Sequence, residues 1–265
     1  MLGSILSCAR TIAGAALLTT TIAAGAQALP QFTFGPGAVG LNGGNVTANA
    51  ITVTNFSTIA LTPFLGGATF TTTGVLPVVG FTLDNTFPSA PGLNQSTGYG
   101  LYFGFDGTGF QNTPTLAPNT TGVFTTLNFQ LFGYNVTGPV SYSPSNITPT
   151  GVVAPILLGS GTLIDGTVGA NLISGTVLPN ANAETTFTVA AGAAAFFVDP
   201  NPFYNAVFSS FINNPGQVSI SSAGFVISQG GGSANFLSTP TPEPASMALL
   251  SAGLLGLGAL RRRAG

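Results

Sequence analysis

This chain of 265 residues contains no histidine, no tryptophan, a single cysteine and four basic residues in all. The four are arginines: Arg10 near the start, and Arg261, Arg262 and Arg263 at the end. Residues 29–240 therefore hold no imidazole, thiol, amine or guanidinium. Each absence removes a class of chemistry. Ser-His, Cys-His and Ser-Lys nucleophile systems need groups that this stretch does not have. Without cysteine, it forms neither disulfides nor thiolate metal sites. Without cations it cannot neutralise phosphates, so nucleic acid is not an expected partner.

Acids are scarce as well. Asp84, Asp106, Asp165, Glu184 and Asp199 give residues 29–240 a net charge of −5, with the sixth acid, Glu243, beyond them. Paired carboxylates can do glycosidase-type acid–base work, but each acid here has a local explanation. Asp106-Gly107 and Asp165-Gly166 read as turns, Asp84-Asn85 follows a strand, Glu184 sits in a polar loop and Asp199 precedes a helix. The closely spaced Asp and Asn of a calcium loop are missing. We expect no catalytic site, no metal and no cofactor, hence a protein that is not an enzyme. Charge is low, yet 45% of the chain is hydrophobic. That combination departs from ordinary disorder, which joins low hydrophobicity to high charge.

What is present is a period of two. In residues 126–132, Leu127, Phe129 and Leu131 alternate with polar side chains, as a half-buried strand requires. Residues 99–105 place Tyr99, Leu101, Phe103 and Phe105 on one face and mostly glycine on the other. Residues 51–54, 81–83, 186–189 and 217–220 repeat the scheme, with Gly, Pro and Asn turns between them. Many short Thr-rich strands predict a mainly β domain over residues 29–237, an antiparallel sandwich or jelly roll. Gly230-Gly231-Gly232 reads as a bend or bulge near a sheet edge. One short helix is expected over residues 201–212. There Phe203, Val207 and Phe211 recur at four, as do Tyr204, Phe208 and Ile212, behind Asn201 as cap and Pro202 at the first turn. The Asn-x-Ser/Thr triplets at Asn45, Asn55, Asn94, Asn119, Asn135 and Asn146 are what an Asn- and Thr-rich chain produces by chance.

The two ends differ from this middle. Arg10 precedes an apolar stretch, residues 11–25, followed by the small-residue sites Ala24-Gly25-Ala26 and Ala26-Gln27-Ala28. This reads as a secretory signal peptide, residues 1–28, rather than a transmembrane anchor, with cleavage favoured after Ala28 and Ala26 as the competitor. It implies the secretion translocon as a partner. Cys8 lies before the apolar stretch, the wrong side for a lipoprotein anchor.

At the other end, a proline-rich linker (residues 238–244) holds Pro242-Glu243-Pro244. An uncharged run follows, residues 245–260, and then a basic tail, residues 261–265. A helix of 16 residues covers roughly 24 Å at about 1.5 Å per residue. That is short for a hydrocarbon core of ~30 Å, a deficit that snorkelling arginines and local thinning reduce. We expect a transmembrane helix stopped by Arg261, Arg262 and Arg263, with those arginines cytoplasmic and the rest of the chain outside.

Pro242-Glu243-Pro244, the apolar span and the terminal arginines, in that order, resemble the PEP-CTERM sorting signal of Gram-negative, exopolysaccharide-producing bacteria. The resemblance implies recognition by exosortase, a membrane cysteine protease-transpeptidase, with cleavage near the Pro-Glu-Pro. A second resemblance joins residues 196–204 and 229–236 to segments of PEP-CTERM ectodomains from floc- and biofilm-forming proteobacteria. Together they imply a protein held briefly at the inner membrane, then placed on the cell surface or in the extracellular matrix. A structural or adhesive role in biofilm or floc is the leading expectation, with exopolysaccharide as a partner. The alternative is a carbohydrate-binding module that stacks sugars on Tyr99, Tyr102, Tyr134, Tyr142 or Tyr204.

Overall fold

A computed structural model describes residues 29–213 and 215–238. The predicted signal peptide with Ala26 and Ala28 lies outside the described residues. So do Pro242, Glu243, Pro244, the expected membrane helix and Arg261, Arg262 and Arg263. Among the described residues no helix is long and apolar enough to cross a membrane.

The described residues open with β1 (Phe32–Phe34), β2 (Val46–Ala48), β3 (Ala50–Phe64) and β4 (Gly67–Thr82). Long strands continue in β5 (Tyr99–Gln111), β6 (Thr121–Asn135), β7 (Ile156–Ile173) and β8 (Thr176–Thr186). Then come β9 (Thr188–Val189), β10 (Phe197–Asp199), β11 (Ala206–Ile212), β12 (Val218–Ser221) and β13 (Gly224–Leu237). Two single-turn 3₁₀ segments, Pro36–Val39 and Ala194–Phe196, are the helical content of the described residues.

The large sheet is closed. Strands β3 to β8 form a meander, β8 pairs with β11, β11 with β13, and β13 with β3. This ring of eight antiparallel strands is a barrel, which removes the edges an open sheet must protect. Strand β12 continues the line of β11 along β13, and β9 extends β8 along β7. The expected β content and antiparallel pairing are thus present, but the two-layer sandwich or jelly roll is replaced by closure. Alternation of inward and outward side chains is common to both architectures, so periodicity does not separate them.

One end of the barrel is plugged. Strands β10, β1 and β2 form a three-stranded sheet that, with Phe196 of the adjoining 3₁₀ segment, inserts Phe32, Phe34, Val46 and Phe197 among barrel residues such as Phe81, Tyr99, Leu101, Leu131 and Phe236. The rings meet edge-to-face or tilted, with centroids 4.6 Å apart for Phe34–Phe196 and 4.8 Å for Phe187–Phe236. Each buried Phe contributes roughly 1.5–3 kcal/mol of burial, so this plug is a large part of what stabilises the core.

A strap, residues 136–155, leaves β6 and lies on the outside of the barrel. It covers Val75, Tyr102 and Tyr134 together with the partly buried Phe56 and Phe132. That cover explains how an outward-facing residue such as Tyr102 is fully buried.

The expected helix over residues 201–212 is absent. Ala206–Ile212 is a strand, with backbone partners on β8 and on β13. Recurrence at four is also every second step of a period of two, so the spacing fits a strand equally. Four of its seven residues are branched or aromatic, Val207, Phe208, Phe211 and Ile212, which suits a pleated surface. Other local readings change as well. Asp106-Gly107 and Asp165-Gly166 lie within β5 and β7, and Glu184 within β8, so neither turns nor a loop hold these acids. The expected bulge near Gly230 is found, as a register shift between Ser228 and Gly230. It sits inside the closed barrel, paired with β3.

Candidate functional site

Inward-facing positions of β3 run Ile51, Val53, Asn55, Ser57, Ile59. The apolar alternation breaks in the middle, and the barrel interior changes with it. Beyond the aromatic plug a cavity of about 130 Å³ remains. Phe70, Leu76, Phe103, Phe129 and Ile227 supply apolar wall, while Asn55, Ser57, Thr72, Thr185 and Asn213 bring polar atoms to it.

Asn55 and Asn213 stand out among these. They are 6% and 2% exposed, and their Oδ1 atoms have no hydrogen-bond partner among the described residues. A buried carbonyl oxygen left unpaired costs about 1–3 kcal/mol. The two flank one glycine. Asn55 faces Gly230 across the β3–β13 ladder, and a Cβ on Gly230 would overlap the Asn213 Oδ1. Asn213 is held by its other end, where Nδ2 donates to the Pro179 carbonyl over 2.7 Å. In the sequence, Asn55 and Ser57 form a polar pair in the centre of the otherwise apolar β3 face, whereas Asn213, just past β11, carries no such signal.

A second concavity lies on the outer wall. Asp106, Asn128, Gln130, Ser160, Thr162, Thr186 and Thr188 line a groove of about 530 Å³ across β5, β6, β7 and the β8–β9 line, with Ile147 of the strap at its rim. Asn128 Nδ2 donates to Asp106 Oδ2 over 3.0 Å, and the hydroxyls of Thr162 and Thr186 lie 3.2 Å apart. The floor is hydroxyl- and amide-rich, with one carboxylate.

Of the five tyrosines expected as a stacking platform, three are buried, and Tyr142 and Tyr204 are half-buried. Tyr99, Tyr102 and Tyr134 are at most 2% exposed. Tyr99 belongs to the interior core and the other two to the strap-covered outer cluster. Desolvation pushes the Tyr99 phenol up to about 12 and raises Tyr134 further, with the adjacent Tyr142 adding to the effect. Tyr204 donates to the Gln31 carbonyl over 2.7 Å, and burial followed by the nearby Asp199 charge raises it too.

The acids are mostly dispersed. Asp84 accepts from Asn49 Nδ2 over 2.9 Å, and Asp165 Oδ1 accepts from the Gly166 amide over 2.8 Å. Asp165 and Glu184 are cross-strand neighbours. No group of three or more His, Cys, Asp or Glu gathers among the described residues.

No curated protein and no solved structure matches this chain. One family description does match, the PEP-CTERM protein-sorting motif, over residues 240–263. It takes in Pro242-Glu243-Pro244, the apolar run and the three arginines on which the sequence resemblance rested. Such a motif implies export, processing by exosortase, a membrane enzyme, and membrane-associated sorting to the cell surface. The chain is a β-barrel protein bearing a PEP-CTERM protein-sorting motif.

Proposed function

We propose that this chain is an exported structural or adhesive protein of the cell surface or extracellular matrix. Residues 1–28 deliver it to the translocon, and exosortase processes it at Pro242-Glu243-Pro244. The observation that carries this reading is the sorting motif at residues 240–263. A domain with no cation in residues 29–238 and threonine, serine and asparagine along its outer strands suits sugar-rich surroundings, where hydroxyls and amides exchange hydrogen bonds with polysaccharide. The same lack of histidine, lysine and cysteine supports a non-catalytic barrel. Membership of a biofilm or floc matrix fits the resemblance of residues 196–204 and 229–236.

The test is deletion of residues 240–265 in the native host, followed by fractionation. The truncated chain should leave the surface and matrix fractions and collect in the medium. Normal matrix accumulation of that truncation would sink the sorting role. Intact mass of the exported wild type reports both cleavages and any attached glycan.

The outer groove favours a second reading, a carbohydrate-binding module that engages sugars through Asp106, Asn128, Gln130 and Thr162 instead of tyrosines. A glycan array separates the two. Saturable, selective binding weakened by Gln130→Ala supports the module, and binding without selectivity leaves the structural role.

A further inference from the structure

We propose that the barrel interior is a binding site for a small, mostly apolar molecule that carries a hydrogen-bond donor, of the size of a single phenolic ring. This goes beyond the surface role above and does not depend on it.

Three observations converge. The first is size and wall. A cavity of about 130 Å³ bounded by Phe70, Leu76, Phe103 and Phe129 is close to the roughly 150 Å³ apolar cavity that admits benzene in another protein. The second is polarity. Asn55 and Asn213 are buried, line this cavity and keep unpaired Oδ1 acceptors. Two acceptors beside one glycine suit an O–H or N–H group at one end of a ligand whose body is apolar. Water alone needs 2–4 polar partners per molecule, which the phenylalanine side of the cavity does not offer.

The third is access. Strands β8 and β11 are paired from Thr186 to Asn180. Past that point β8 continues through residues 176–179, paired with β7, while β12 runs along β13. The wall between β8 and β12 therefore lacks a backbone ladder. Side chains close it: Val177 and Val218 pack against the cluster of Leu116, Ala170, Phe225 and Ile227, and Asn213 Nδ2 donates to the Pro179 carbonyl across it. Asn213 and Pro179 also line the cavity, so this seam is the natural entrance.

The experiment uses the full chain in amphipol, with isoleucine methyl resonances recorded during titration with phenol and, separately, toluene. Toluene matches the ring and lacks the donor. Phenol should shift Ile59 and Ile227, which line the cavity, saturably, and should leave Ile147 of the outer groove unmoved. Toluene should bind about five- to tenfold more weakly, the effect of the one hydrogen bond that the phenol O–H donates. Asn55→Leu should narrow that ratio, and Gly230→Ala, which crowds Asn213, should abolish phenol binding. Equal affinities for the two probes would overturn the proposal. So would ordered water only on Asn55 and Asn213, with neither probe shifting Ile59 or Ile227. The wild-type ratio decides even if a variant misfolds.

Discussion

The hydroxyls of Tyr134 and Tyr142 lie 3.0 Å apart, one donating to the other, and they join the outer wall of the barrel to the strap that covers it. Tyr134 stands on β6 and Tyr142 in residues 136–155, where its ring also stacks on Phe56 at 5.7 Å. Thr58 Oγ1 donates to the Pro144 carbonyl over 3.1 Å nearby. Tyr142→Phe leaves the Tyr134 hydroxyl buried without its partner and should cost about 1–2 kcal/mol. Tyr142→Ala also removes the stacked ring and should cost ~3–5 kcal/mol. Urea unfolding measures both. The double variant Tyr134→Phe/Tyr142→Phe should lose less than the sum of the two single changes, because no orphan hydroxyl remains.

Buried tyrosines on both faces of the barrel wall set an alkaline limit. Burial favours the neutral phenol, so the native chain keeps the Tyr99 proton up to about 12, against an ordinary value of 10.0. Tyr102, Tyr134 and Tyr142 are raised for the same first cause. A raised value means that the native state binds more protons than the unfolded state in this window, so stability falls as pH rises. The contribution is complete below pH ~10 and is lost progressively towards pH ~12, on the order of 3 kcal/mol for a two-unit shift. Tyrosinate absorbance should rise together with loss of the near-ultraviolet dichroism. Ionisation at ordinary pH with the fold intact would contradict the burial described.

Gly100 and Gly80 both occupy long strands and should behave oppositely. A Cβ on Gly100 would overlap the Tyr134 ring, which is itself fixed under the strap, whereas a Cβ on Gly80 meets nothing within 4 Å. Gly100→Ala should cost ~2 kcal/mol or more through overpacking. Gly80→Ala should be neutral or stabilise by up to about 1 kcal/mol through the unfolded chain. Thermal melts of the pair are a direct check on how closely the strap is seated.

Strand existence was legible in the sequence wherever large and small residues alternated strictly. Tyr99, Leu101, Phe103 and Phe105 point inward as their spacing requires. Closure was not legible, because the ladder that closes the ring joins β11 to β13 through residues read as a helix. The interior site was hidden for a different reason. Asn55 opens an Asn-x-Ser triplet in a chain full of such triplets, and Asn213 follows a segment assigned to another structure. What brings the two residues together beside Gly230 is tertiary pairing, which local spacing does not encode. The sorting motif needed no fold at all, since its three parts are contiguous in the chain.

Residues 201–212, whose spacing fits a helix as well as a strand, supply the sharpest test of the barrel. A helix over residues 201–212 would stack Tyr204, Phe208 and Ile212 on one face and Phe203, Val207 and Phe211 on the next, making both sets core. The strand divides them differently. Val207 points into the barrel and is 3% exposed, while Phe208 and Ile212 face outward at 38% and 66%. Val207→Ser should therefore cost ~2–4 kcal/mol, from a lost core side chain and a buried hydroxyl. Phe208→Ser should cost less than about 1 kcal/mol, as surface changes do. Urea midpoints of the two variants give the ratio. Similar losses at both positions would fit the helix and would leave the ring open between β8 and β13. A large loss at Val207 with little at Phe208 requires alternate faces, and in this chain only the closing strand supplies them.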